Sequence, residues 1–242
     1  MYQIEKWGKE NIIWVGNKHT NKSSRRNYMP EIIVNHISEG SAQSCINWFT
    51  TPGNKDSSAH FLVARNGKVY QFVAIEDNAW ANGLDSTEIK ESKSIVVKNR
   101  GVNPNWYSVS IEHEGVYEQT KGELTDAQLQ STIMLHKYII DYCERGFHYK
   151  IKADNEHILG HNKIDPVQRP NCPGEKFPFD EMIKALDYEN QLEDALKTLV
   201  DEKILISPAY WQQNAVEGQP VKGEYAGILI KNFADYINRH KV

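Results

Sequence analysis

The chain has 242 residues, 40% hydrophobic and 25% charged, with a net charge of −4; that is enough for one full domain and a small second one. It has no long basic run and no apolar run of the ~20 residues needed to cross a bilayer, so neither a nucleic-acid nor a membrane partner is expected. Three widely spaced cysteines, Cys45, Cys143 and Cys172, argue against a disulfide framework and leave room for one metal thiolate and two buried thiols.

In chain order, residues 1–30 are polar and mixed. They lack the apolar core of a signal peptide, and 21–27, with Arg25 and Arg26, reads as a solvated loop. After Pro30 the β-branched run Ile32, Ile33 and Val34 predicts a buried strand. It delivers Asn35 and His36 at its C-terminal end, where open α/β sheets place functional groups. Ser41 is a helix cap, with Cys45, Trp48 and Phe49 expected on one buried face. Residues 60–64 and 68–73 flank an Asn66-Gly67 turn and predict a hairpin. The polar stretch 84–105 reads as a long surface excursion of the kind used for binding loops.

In 107–115, Tyr107, Val109 and Ile111 alternate with Ser108, Ser110 and Glu112, a strand whose polar face meets solvent or lines a cleft. Thr125 and Gln128 form a capping-box pattern that opens a helix to about Arg145, with Gly146 as its stop. Past Phe179 the composition shifts. Helices are predicted over 186–203, from Pro208 through Trp211, and over 223–240, as a separate helical module.

The chemistry concentrates between Gly160 and Gly174, where His161 and Cys172 lie among three prolines and two glycines. Such a segment is a shaped loop. Imidazole and thiolate suit Zn²⁺, and a catalytic zinc takes three protein ligands and keeps one open position. His36 is the candidate third ligand. His157 stands four residues before His161, a helical zinc spacing, but Ile158, Leu159 and Gly160 supply no glutamate between them; His157 therefore reads as a surface or supporting residue. A hydrolase of this type also needs a carboxylate to move a proton. Glu112 is the candidate and Glu114, of the same parity, its backup. A cation for the developing oxyanion would come from Arg169 or Lys163 on the Cys172 loop. The plain alternatives are a solvated edge carboxylate and solvent-facing cations.

These residues resemble a known family. Ile33-Val34-Asn35-His36, the run from Ser58 to Gln71, Ala79-Trp80, Ser110-Ile111-Glu112, and Gly160-His161 with Asn171-Cys172-Pro173-Gly174 are similar to the zinc N-acetylmuramoyl-L-alanine amidases of type 2. That family is shared with peptidoglycan recognition proteins and many bacteriophage endolysins, and the match covers about residues 30–180. It implies an α/β fold with a central mixed β-sheet flanked by helices over 1–180, and hydrolysis of the amide joining muramic acid to L-alanine of the stem peptide. The family's metal ligands fall on His36, His161 and Cys172, and its catalytic glutamate on Glu112. Its usual lysine, two positions before the last ligand, is Pro170 here, so Arg169 is the expected substitute. A tyrosine of some members is Ala59. His60 and Trp80 match recurrent groove positions and, with Asn82, are expected substrate contacts.

The tail over 186–242 resembles small helical modules behind such amidases in Gram-positive bacteria and their phages. It implies attachment to a cell-wall polymer, with Tyr210 and Trp211 either stacking on sugars or forming the core of the bundle. The combined expectation is a phage endolysin made in the host cytoplasm and released through a holin-type lesion. The alternative is a non-catalytic peptidoglycan-recognition module, against which the retained ligands and Glu112 count.

Overall fold

A computed structural model describes residues 8–216 and 219–240, with 188–190 described by backbone only. The chain divides into two compact units between Leu186 and Asp187.

The first unit is built on a six-stranded mixed sheet of β1 (Ile12–Trp14), β5 (Val69–Gln71), β4 (Phe61–Val63), β7 (Ser108–His113), β3 (Ile32–Ile37) and β8 (Ile158–Gly160), in that spatial order. Only β4 and β5 pair antiparallel; they are the predicted hairpin, with Gly67 at φ +81° in its turn. The others pair parallel. Every residue of β3 is buried, as a central strand covered on both faces should be. A separate antiparallel ribbon joins β2 (Lys22–Ser24) to β6 (Asp77–Ala79).

Two helical layers sandwich the sheet. On one face Ile33, Val109, Ile111, Phe61 and Val63 share a core with Leu135, Ile139, Ile140 and Cys143 of α5 (Asp126–Phe147). On the other, Ile32, Val34 and Leu159 pack with Leu84, Ile89 and Val97, and Leu62 packs with Cys45 and Phe49 of α1 (Ala42–Thr50). The stretch 84–105 is therefore not a surface excursion. It forms α2 (Ser86–Glu91) and α3 (Ile95–Arg100), each too short for its period to stand out but each burying one apolar residue, Ile89 and Val97. Two short helices, α4 (Tyr117–Thr120) and α6 (His161–Ile164), follow β7 and β8.

Two end signals resolve differently from expectation. Thr125 caps α5 by accepting from the Gln128 amide, but the Gln128 side chain donates to the carbonyls of Val63 and Glu114 instead of closing a capping box. The helix also runs past Gly146 to Phe147 and stops at left-handed His148.

Helix α7 (Phe179–Asp201) begins in the first unit, because Phe179, Met182, Ile183 and Leu186 belong to the α5 core. The second unit comprises the rest of α7 with α8 (Pro208–Asn214) and α9 (Gly223–Arg239). Its core gathers Leu196, Leu205 and Trp211, with Leu199, Tyr225 and Leu229 packed around them. Tyr210 stacks on Tyr225 at 3.6 Å, and its hydroxyl accepts from the Lys222 amide. Of the two readings of these aromatics, both have a place in the bundle core: Trp211 is buried in it and half-buried Tyr210 packs against it. No helix among the described residues is long and apolar enough to cross a membrane.

Candidate active site

Parallel pairing places His36 directly beside Glu112 in the β3–β7 register. Side chains alternate along each strand, so paired residues share a face. His161 follows β8, the other neighbour of β3, one residue past Gly160. Cys172 arrives on the loop: its Sγ accepts from the Ile37 amide at 3.4 Å, and its carbonyl accepts from the Asn162 amide at 2.7 Å. Glycine is required where the chain closes up here. A Cβ on Gly160 would stand 2.7 Å from Pro173, and one on Gly174 would stand 2.1 Å from the Lys121 carbonyl oxygen.

The ligand atoms of His36, His161 and Cys172 all lie within 4.8 Å of one another, a group able to hold a metal ion. The two imidazole rings meet edge to face at 4.4 Å. Burial, then the neighbouring His161, holds the His36 pKa well below its usual range, while burial followed by Arg169 brings His161 to about 3. Both rings are therefore neutral at pH 7, the ligating form. His36 Nε2 is buried without a protein partner. Without a cation, burial and the Glu112 carboxyl push the Cys172 thiol to about 12; a divalent ion reverses that logic by stabilising the thiolate.

Glu112 has a buried, unpartnered Oε2, and burial raises its carboxyl to about 7, with Arg169 acting in the opposite direction. These groups lie in one cleft of about 1120 Å³, whose lining includes His36, Glu112, His161, Arg169 and Cys172. Arg169 is exposed and makes no ion pair among the described residues. Its rivals are committed elsewhere. Lys163 Nζ donates to the Asn155 carbonyl and to Glu156. Glu114 accepts from the amides of Ala42 and Arg65, tying α1 to the hairpin. His157 pairs with Asp154 at 2.6 Å.

Of the three expected substrate contacts, Trp80 lines the cleft, with its indole N–H donating to Ser23 Oγ. The other two are corrected. His60 is 1% exposed, and its ring is bonded to Ser110 Oγ, the Asp77 carbonyl and Arg25. Asn82 is equally buried; its side-chain amide donates to Ser108 Oγ and its backbone N–H donates to Asn105 Oδ1. Both lie in a polar layer under the cleft, because Ser108 and Ser110 on the polar face of β7 require buried partners.

Arg25 completes that layer, donating to the carbonyls of Ile75, Trp106 and Ser108. The reading of 21–27 as an exposed loop holds for Arg26 and Asn27 and is corrected for the rest: Lys22–Ser24 form an exposed strand, and Arg25 is 3% exposed; Arg26 lines the cleft with Trp48 and Trp106. Trp48 is 50% exposed rather than core. The i, i+4 pair Cys45 and Phe49 takes the buried face of α1 and leaves Trp48 on its flank.

Residues 25–175 match the family model described as N-acetylmuramoyl-L-alanine amidase. The chain is 24% identical over 180 residues to N-acetylmuramoyl-L-alanine amidase A of Achromobacter lyticus, covering 69% of this chain and 88% of that one. It is 29% identical over 129 residues to 1,6-anhydro-N-acetylmuramyl-L-alanine amidase AmpD of Haemophilus influenzae, covering 53% of this chain and 58% of that relative. Its fold is similar to a crystal structure of a selenomethionine AmpD derivative, with a TM-score of 0.54 and 23% identity over 77% of this chain and 99% of that one. With the family model spanning well over half its length and the fold in agreement, the chain belongs to the N-acetylmuramoyl-L-alanine amidase family.

Proposed function

We propose that this chain hydrolyses the amide between the lactyl carbonyl of N-acetylmuramic acid and L-alanine of the peptidoglycan stem peptide, with one Zn²⁺ held by His36, His161 and Cys172. The observation that carries the proposal is the three-ligand group beside Glu112 in a single cleft. The donor set fits zinc: two neutral imidazoles, one with an unspent buried nitrogen, and a sulfur. When bound, zinc supplies Lewis acidity to a carbonyl and brings the pKa of a coordinated water toward about 7.

Glu112 accepts the proton of the attacking water. The water oxygen bonds to the lactyl carbon, the C–N bond breaks, and the proton passes from Glu112 to the leaving alanine nitrogen. Burial raises this carboxyl above its ordinary range in the metal-free protein, and its unpartnered buried oxygen is placed to take up a proton and pass it on. Arg169 offers a guanidinium, free of ion pairs among the described residues, for charge developing on the carbonyl oxygen. Purified cell walls should clear with release of new L-alanine amino termini, and clearing should stop when a chelator has stripped the metal. Undiminished clearing by metal-free protein would refute the zinc mechanism, and absence of clearing would favour the recognition-module alternative.

The setting we propose is phage lysis of a Gram-positive host, with release through a holin-type lesion and the helical unit attached to a wall polymer. Its support is the resemblance of the tail. Co-expression in the host with and without a holin tests the release, and sedimentation of the isolated tail with walls tests attachment.

A further inference from the structure

The Cys172 sulfur accepts a hydrogen bond from the Ile37 amide at 3.4 Å. The same peptide group carries the His36 carbonyl, and that oxygen meets Nδ1 of the His113 ring at 3.0 Å. On its far side, His113 Nε2 meets Thr132 Oγ1 of α5 at 3.1 Å. Thr132, His113, the 36–37 peptide and Cys172 therefore form one continuous line of hydrogen bonds that ends on the sulfur. Strand geometry explains it. His113 is the last residue of β7 and pairs with Ile37. It comes directly after Glu112, so alternation sends the two side chains to opposite faces: Glu112 lines the cleft and His113 turns toward α5. There the ring is 1% exposed and meets Phe177, on the loop past Cys172, edge to face at 4.9 Å. No step of the hydrolysis uses it.

Donor chemistry sets the direction of the line. A carbonyl oxygen only accepts, so His113 Nδ1 carries the hydrogen and Nε2 is the acceptor. The Thr132 hydroxyl supplies the proton for Nε2. That hydroxyl also stands 2.7 Å from the Gln128 carbonyl, which has a helix amide of its own to satisfy it. Donation to the His36 carbonyl polarises the peptide and makes the Ile37 N–H a stronger donor, because linked hydrogen bonds reinforce one another. A thiolate gains most from such a donor, since bonds to a charged acceptor are the stronger ones. We propose, resting on the metal reading above, that His113 is a positioning residue for the metal centre: through the 36–37 peptide it fixes the backbone of one ligand, His36, and strengthens the hydrogen bond given to another, Cys172, and so raises zinc affinity. It touches neither the ion nor the substrate. Partners of this kind, one bond removed from the ligands, orient them and tune their donor strength.

The test compares two amide variants of the full chain. Asparagine at this position sets its side-chain N–H where Nδ1 stands and keeps a donor for the His36 carbonyl. Glutamine is longer, reaches the Thr132 end and leaves that carbonyl without the ring donor. Zinc affinity is read by competition with a chromophoric chelator. His113→Gln should lose about 10–100-fold, the usual effect of removing a partner of a metal ligand, and His113→Asn should stay within about threefold of wild type. Cobalt(II)-loaded protein gives a second reading. Its sulfur-to-metal charge-transfer band should move to longer wavelength in His113→Gln, because a sulfur with a weaker N–H donor gives up electron density more easily, and should keep its place in His113→Asn. A packing role alone would lower stability in both variants without separating their bands. A wild-type protein that takes up neither zinc nor cobalt overturns the metal reading and this inference with it. If the wild type binds zinc and both variants bind it as well as wild type, or both lose it equally, this inference alone is overturned. Should His113→Gln not fold, Thr132→Val, which removes the donor to Nε2, decides: weaker zinc binding with the same band shift supports the proposal, and wild-type values overturn it.

Discussion

Glu112 lies in β7 and Glu114 just past its end, two residues on, yet they do different work. Glu114 spends both oxygens on backbone amides; Glu112 keeps a buried oxygen unspent beside His36. The Glu112→Gln variant is therefore expected to lose about 10²–10⁴-fold in kcat while retaining the wild-type zinc content, measured by mass spectrometry of the metal. The Cys172→Ser variant should lose the metal itself, since the sulfur is one of the three atoms proposed to hold it. A Glu114→Gln variant should show its main effect on stability. Alternation in the sequence placed the two carboxylates together, and chose Glu112 because it shares a face with small serines. Those serines turned out to be buried partners of His60 and Asn82, so the distinction rests on where neighbouring amides fall.

At the scale of elements, the loop that carries Cys172 is positioned by its fit to the chain after α4. Gly174 lies at φ +127° with no room for a Cβ against the Lys121 carbonyl, and Gly122 lies against Pro173 on the other side. The Gly174→Ala variant is expected to lower stability by about 1–3 kcal/mol and to weaken metal retention by moving Cys172. Equilibrium unfolding with parallel metal analysis checks both. The amino-acid pattern showed this loop plainly, because prolines and glycines are local signals. It did not show α2 and α3, which are six residues each and whose burial depends on Ile32 and Val34 lying beneath them.

Across the whole molecule, buried neutral histidines couple stability to pH. Burial holds His136 at about 4 and His113 at about 3. The unfolded chain takes up these protons near 6.5, whereas the native state refuses them until pH 3–4. Their contribution is thus complete above about 6.5 and is lost as the pH falls toward 4, by about 1.4 kcal/mol per pH unit for each histidine. Urea unfolding between pH 7 and 5 should show that decline, with a shallower slope in His136→Leu. From the tail, a chain ending at residue 186 should still release L-alanine amino termini from soluble muropeptides, since every cleft residue precedes that point. Loss of that activity would tie the helical unit to the catalytic one.

The amino-acid pattern by itself determined the strands that carry His36 and Glu112, the hairpin, the long helix and the ligand types, because periodicity, turn residues and donor chemistry are properties of short stretches. Only the tertiary structure decided which carboxylate keeps a free oxygen, that His60 and Asn82 support the cleft from below, and that Trp48, Trp106 and Arg26 line it. Each of those outcomes depends on parallel strands and loops distant in sequence being brought side by side, and no local signal records which polar groups will then find partners.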